Sequence, residues 1–166
     1  MIIPLEDFPK LREEKLKGKK IVATSGFFDP IHPGHISCIR ESKKFGDVLV
    51  VIVNGDKQCV TKKGKAFLPA DVRAYIVDNL KDVDYVVIYD HPTKYDSSEP
   101  LKIVRPNVFT KGGDRVHPPT GPLAIEVAAL EEIGATIEYN VGDPKIWSSS
   151  NYLQEWVDFV NSQKKD

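Results

Sequence analysis

The sequence predicts an α/β fold, an open parallel sheet of five strands with helices on both faces. Three observations lead there. Residues 48–53, Val-Leu-Val-Val-Ile-Val, are an unbroken apolar run, as expected of a strand buried on both faces in a parallel sheet. Short apolar segments alternate with helix-like segments along the chain, which supplies the crossovers that parallel strands require. Glycine, proline and small polar residues fall between them, where turns are needed.

Taken in order, residues 1–20 form a charged arm with scattered apolar residues, Ile2, Ile3, Leu5, Phe8 and Leu11. It is read as a short helix or extended arm packed against a single domain over 21–166. Four lysines lie within residues 15–20, a solvated approach to the first strand. That strand is 21–25, and Gly26 lets the chain turn where a Cβ would obstruct it. Pro33 suits the first turn of a helix over 33–45, which Gly46 ends. The strand at 48–53 follows and stops at Asn54-Gly55-Asp56. Residues 57–68, with Lys57, Lys62, Lys63 and Lys65, read as a polar loop. Pro69 opens a helix over 70–80, and 84–89 is the third strand. Residues 90–100 are loop by composition, with a short helix over 101–104. The fourth strand is 108–110, and 116–122 is a proline-rich loop. Helix 123–132 is capped by Gly134, and 135–139 is the fifth strand. Ser148-Ser149-Ser150, good N-cap residues, open a last helix through about 162.

Ligands in such sheets bind outside the carboxyl ends of the strands. Four unusual segments fall there: 26–35, 54–65, 111–115 and 143–150. They are distant in sequence and should converge on one site. In the first, His32 and His35 stand three residues apart at a helix start, where both can share a face and free N–H groups favour an anion. A nucleoside triphosphate suits this crevice. In an attack by a second substrate's phosphate on the α-phosphorus, charge spreads over phosphoryl oxygens. Catalysis is then positioning and charge neutralisation. His32 and His35 can donate hydrogen bonds, a loop lysine and Arg73 can add positive charge, and Ser148–Ser150 can hold a phosphate. No nucleophilic serine or cysteine is needed.

Composition narrows the partners. The 166 residues suit one domain. A net charge of −1, from 23 basic and 24 acidic residues, argues against a nucleic-acid or anionic-membrane partner. The longest apolar run is too short to span a bilayer, and no signal peptide is expected. The two cysteines, Cys38 and Cys59, lack metal-like spacing. Free thiols and a cytoplasmic location are expected.

The string Gly-Phe-Phe-Asp-Pro-Ile-His-Pro-Gly-His, residues 26–35, resembles the signature of the nucleotidyltransferase superfamily, Gly-x-Phe-Asp-x-x-His-x-Gly-His, at every fixed position. Over about 21–154 the chain is similar to the cytidylyltransferase-like group, which includes glycerol-3-phosphate cytidylyltransferase and the adenylyltransferase domain of bifunctional heptose-phosphate proteins. The resemblance implies a Rossmann-like fold, a homodimer, and nucleotidyl transfer to a phosphorylated small molecule, with Mg²⁺ and release of pyrophosphate. It places the catalytic residues on His32, His35, Lys62 and Arg73, with Lys63 and Lys65 close enough to compete with Lys62. No protein residue is assigned to the metal. Gly26, Phe27, Phe28, Lys111, Gly112, Asp114, Arg115 and Ser148–Ser150 would join the histidines around the nucleotide. Asp29 and Asp56 would lie near the acceptor.

Lys111-Gly112-Gly113-Asp114 is similar to a segment of the heptose-phosphate adenylyltransferases that contacts the nucleotide. The glycerol-phosphate enzymes carry an arginine shortly before the serine helix, where this chain has Gly142-Asp143-Pro144-Lys145-Ile146-Trp147. ATP-dependent adenylyl transfer to a sugar or polyol phosphate is therefore favoured. CTP-dependent cytidylyl transfer is the alternative, and a non-catalytic nucleotide sensor the reading from another class. The chain is too short for a class I aminoacyl-tRNA synthetase and lacks a Lys-Met-Ser-Lys-Ser segment.

Overall fold

The structure, a computed structural model, describes residues 1–113 and 118–164. A short turn at Leu5–Asp7 leads into α1 (Phe8–Lys15), β1 (Ile21–Gly26), α2 (Pro33–Lys43), β2 (Val48–Asn54), α3 (Asp56–Lys63) and α4 (Ala70–Asp78). Then come β3 (Tyr85–Tyr89), α5 (Ser98–Val104), β4 (Val108–Thr110), α6 (Pro122–Ile133), β5 (Thr136–Glu138) and α7 (Ser149–Ser162).

The five strands are parallel, in the order β3-β2-β1-β4-β5. Every residue of β2 is buried, which is why its sequence does not alternate. Each such Val, Leu or Ile contributes about 1.5–3 kcal/mol by leaving water. Successive strand residues point to opposite faces. Ala23, Val50, Ile52, Val87 and Phe109 pack under α1, α5 and α6 with Phe8, Leu101, Val104 and Leu130. Val22, Leu49, Val51, Val53, Val86 and Val108 pack under α2 and α4 with Ile39, Ala74 and Val77. The first residues extend the β3 edge: the Ile3 N–H donates to the Val86 carbonyl and the Val86 N–H to the Met1 carbonyl, each at 3.0 Å.

Residues 57–68 are not all loop: Asp56–Lys63 is helix α3. Its cap comes from far along the chain. Asp90 Oδ1 accepts the Lys57 N–H at 2.9 Å and the Gln58 N–H at 3.3 Å. Gln58 is fully buried; its side chain donates to the Lys94 carbonyl at 2.9 Å and accepts from Asn54 at 3.0 Å. Gly64, at φ +86°, closes the helix in the left-handed conformation.

The strand order reverses direction at β1, between β2 and β4. Chain connections there leave to opposite faces and open a crevice beyond the strand ends. Thr24 Oγ1 donates to the Thr110 carbonyl at 3.0 Å, and Thr110 Oγ1 to the Ala23 carbonyl at 3.2 Å. These bonds fix the spacing of β1 and β4 at the crevice floor.

Candidate active site

The turn from β1 to α2 builds one wall. A Cβ on Gly26 would lie 2.9 Å from Phe28 Cζ, so a larger residue there would push that ring off the strand end. Phe28 itself has φ +51°, an uncommon conformation for a bulky residue. Its buried ring meets His35 edge-on, with centroids 5.0 Å apart. His32 is the N-cap of α2 and Pro33 its first residue. The two imidazoles stack at 3.6 Å with their planes 21° apart. His35 Nδ1 accepts the His32 backbone N–H at 3.3 Å, so the proton of the neutral ring sits on Nε2. Burial, with the charges of His32 and Lys62, pulls His35 down to about 3. Burial also lowers His32. Both are neutral donors near pH 7. His32 Nδ1 is buried and makes no hydrogen bond among the described residues.

A second wall comes from α3 and the segment after it. Lys62 places its ammonium 4.3 Å from the centre of the Phe27 ring. Lys63 bonds Asp29 instead, at 2.7 Å to Oδ2 and 2.9 Å to the carbonyl. Asp29 Oδ2 and Oδ1 accept the N–H groups of Phe67 and Leu68 at 2.9 and 2.8 Å. Burial alone would raise the Asp29 carboxyl, but these partners outweigh it and hold it below its ordinary value. Asp29 thus ties the α3–α4 connection to the β1 turn.

Arg73 is fully buried behind this wall. It donates to the Leu68, Phe27 and Asn54 carbonyls at 2.8, 2.7 and 2.5 Å, and to Asp56 at 2.7 Å. Its guanidinium, expected from the sequence to add positive charge to the site, braces the ends of β1 and β2 behind the wall and does not line the cavity. Asp56 is its partner and does not line the cavity either. Sequence counting puts an arginine on the helix, but only packing decides which way it points.

The third wall begins at the end of β4. Lys111 Nζ lies 2.8 Å from Glu126 Oε2 and 3.0 Å from Ser25 Oγ. Glu126 is buried on α6 and also accepts the Ser97 N–H at 3.0 Å. One ion pair thereby joins β1, β4, α6 and the start of α5. A Cβ on Gly142 would sit 2.7 Å from the Cys38 backbone nitrogen, and its φ is +94°, so this crossing over α2 requires glycine. Beyond it Ser148 caps α7, accepting the Asn151 N–H at 3.4 Å. Ser149 Oγ donates to the Pro30 carbonyl at 2.7 Å.

These walls enclose a cavity of about 600 Å³, within the range of small-molecule sites. Gly26, Phe27, Phe28, Asp29, His32, His35, Lys62, Lys111, Gly112 and Ser148–Ser150 all line it. Lys63 lines it as well and Lys65 does not. Asp114 and Arg115 lie outside the described residues. Glu126, Tyr95, Ser97 and Trp147 also line the cavity without having been singled out. Glu126 had a signal: it is a lone acid in the apolar stretch 123–130. Tyr95 and Ser97 had none, because their loop is placed by Asn54, Gln58 and Glu126. The arrangement offers neutral imidazole donors, ammonium groups and a helix start, suited to polyanionic phosphate.

Comparison with known proteins bears on this geometry. The family model for cytidylyltransferase-like proteins matches residues 23–155. The bifunctional protein HldE of a Nitratiruptor species is 41% identical over 121 residues, covering 67% of this chain and 26% of that protein. HldE of Desulfatibacillum aliphaticivorans is 32% identical over 155 residues, 92% of this chain and 30% of that protein. The chain thus spans about a quarter to a third of these relatives. A lipopolysaccharide core biosynthesis protein from Thermoplasma volcanium GSS1 superposes with TM-score 0.59 at 27% identity, over 74% of this chain and 94% of that one. A pantoate-beta-alanine ligase from Francisella tularensis gives TM-score 0.59 at 17% identity, over 92% of this chain and 72% of that one, a likeness of fold.

Proposed function

The chain belongs to the cytidylyltransferase-like family of nucleotidyltransferases, and from that premise we propose that it transfers the nucleoside monophosphate of ATP to a sugar or polyol phosphate, releasing pyrophosphate. The observation that carries this is the convergence of His32, His35, Lys62 and the first turn of α7 on one cavity at the ends of β1 and β4. The similarity to HldE proteins and the Lys111-Gly112-Gly113 segment support ATP over CTP. Cys38 and Cys59 are not joined in a disulfide, which suits a cytoplasmic setting.

In the proposed reaction a phosphate oxygen of the acceptor bonds to the α-phosphorus. The bond from that phosphorus to the bridging oxygen of the β-phosphate breaks, and pyrophosphate leaves with the electron pair. His35 Nε2–H donates to a phosphoryl oxygen without titrating near neutrality. His32 presents its ring beside it, and the Lys62 ammonium neutralises charge as it grows on the leaving group. Ser148–Ser150 and the N–H groups of α7 hold a further phosphate. The acceptor is assigned to the part of the cavity bordered by Asn54, Tyr95 and Ser97, which line it along with the phosphate-binding residues.

Among the described residues no three His, Cys, Asp or Glu side chains cluster as a metal site. Mg²⁺ is commonly held by substrate phosphates and water, and in this reading the triphosphate brings it to the cavity. Bound there, it would screen charge on the phosphates.

The test is pyrophosphate release with Mg²⁺ from ATP, CTP, GTP and UTP, each against a panel of sugar, polyol and amino-alcohol phosphates. Release from ATP with a sugar or polyol phosphate is expected. Release from CTP alone would replace the adenylyl assignment with the cytidylyl one. Nucleotide binding by calorimetry with no release from any acceptor would favour a sensor.

A further inference from the structure

We propose that Glu126 sets acceptor specificity: its carboxylate takes a hydrogen bond from a hydroxyl on the carbon chain of the acceptor phosphate, and the pocket around it turns away acceptors that carry an ammonium group. This rests on the nucleotidyl-transfer reading. Glu126 stands in an otherwise apolar stretch of α6, Pro-Leu-Ala-Ile-Glu-Val-Ala-Ala-Leu, residues 122–130. It is 3% exposed, and it lines the cavity. A buried ion pair is a weak source of stability, since well-packed apolar side chains of like volume serve as well or better. On the wall of a substrate cavity a carboxylate has a second use, as a hydrogen-bond acceptor for the substrate.

The bonds of Glu126 leave room for that use. A carboxylate has about four acceptor positions. Oε1 takes the Ser97 N–H at 3.0 Å and Lys111 Nζ at 3.0 Å. Oε2 takes Lys111 Nζ alone, at 2.8 Å. Among the described residues, Oε2 therefore keeps a position for a donor that enters the cavity. An ammonium has three N–H donors, and those of Lys111 are met by the two Glu126 oxygens and by Ser25 Oγ at 3.0 Å. Lys111 thus holds the carboxylate in place and offsets its charge.

The balance of charge decides which donor fits. Among the described residues, Asp29 and Glu126 are the buried carboxylates of the cavity wall, and each is bound to a lysine, Asp29 to Lys63 at 2.7 Å. Neither leaves a net negative charge to draw an ammonium, and an ammonium beside Glu126 would be repelled by Lys111. A neutral hydroxyl meets no such repulsion. Pro122 and Leu123 also line the cavity. They lie four and three residues before Glu126 on α6, on the same face, and suit the carbon skeleton of a sugar or polyol. A site that receives a hydroxyl rejects the analogue lacking it, because its buried polar group is then left unpaired.

Calorimetry on the full chain with a non-hydrolysable ATP analogue tests this. Sugar and polyol phosphates, their singly deoxygenated analogues and amino-alcohol phosphates are titrated into wild type and Glu126→Gln. Wild type should bind one hydroxylated acceptor on the order of 10–100-fold more tightly than the analogue lacking one hydroxyl, and amino-alcohol phosphates most weakly. In Glu126→Gln that ratio should shrink, while the ratio between ATP and its 2′- or 3′-deoxy forms should not move. Equal weakening of every acceptor with the ratio intact would make Glu126 merely structural and overturn the proposal. So would a shift in the ATP ratio instead, which assigns Glu126 to the ribose. Tightest binding of an amino-alcohol phosphate, or no binding of any sugar or polyol phosphate, overturns it as well. A urea midpoint checks the fold of Glu126→Gln; where the fold is lost, adding Lys111→Met removes the stranded ammonium and the same acceptor ratio is read. Acceptor binding with the expected ratio but no pyrophosphate release would sink the transfer reading and uphold the hydroxyl contact.

Discussion

Lowering the pH from 7.5 to 5 should cost the folded state about 2 kcal/mol through His35 alone. Its imidazole is drawn from 6.5 down to about 3 by burial and by the charges of His32 and Lys62. Between those values the unfolded chain binds a proton that the folded chain refuses. Stability from this residue is therefore complete above pH 6.5 and is lost as pH falls toward 3. Each unit costs about 1.4 kcal/mol, and pH 5 lies one and a half units below the unfolded value. The figure does not depend on where below pH 4 the folded value lies, since at pH 5 the folded ring is neutral already. Asp29 does not confuse the window, because its lowered pKa takes stability away only below its ordinary value of 3.8. The assay is urea unfolding at pH 7.5, 6.5 and 5 for wild type and His35→Asn. With an m-value of about 2 kcal/mol/M, the wild-type midpoint should fall about 1 M further than the variant's. His32 shifts in the same direction but is present in both proteins. Parallel pH dependences for the two would refute a buried neutral His35, and with it the Nε2–H donor.

Lys62→Ala should lower pyrophosphate release at least about 100-fold, with the urea midpoint nearly unchanged because the residue is exposed; a collapse of stability would make it structural. Arg73→Lys should cost about 3–5 kcal/mol in urea, since an ammonium cannot serve three carbonyls and Asp56 together. A variant as stable as wild type would argue against the brace. Glu126→Leu should cost about 3 kcal/mol by stranding the Lys111 ammonium, and adding Lys111→Met should recover most of it. Additive losses in that double-mutant cycle would show that the pair is not coupled.

Local physics made much of this protein legible. The apolar run of β2, the glycine turn into α2 and the serine cap of α7 each depend on neighbours a few residues away, and each lies where the sequence places it. So do most of the residues that converge on the cavity, because strand ends in a parallel sheet must face one edge. Helix α3 was not legible: its lysines argue for a loop, and the groups that hold it are Asp90 and the buried Gln58.

The same division runs through the site. The sequence by itself determined the parallel sheet, the pair of histidines at a helix start and the segments that meet there, because periodicity, turn chemistry and caps are short-range. Only the tertiary structure decided that Arg73 braces the strand ends while Lys62 borders the cavity, that Glu126 holds Lys111, and that α7 keeps its apolar face outward. A long polar side chain reaches many partners. The carbonyl, carboxylate or ring it finds is fixed only when distant segments close on one another.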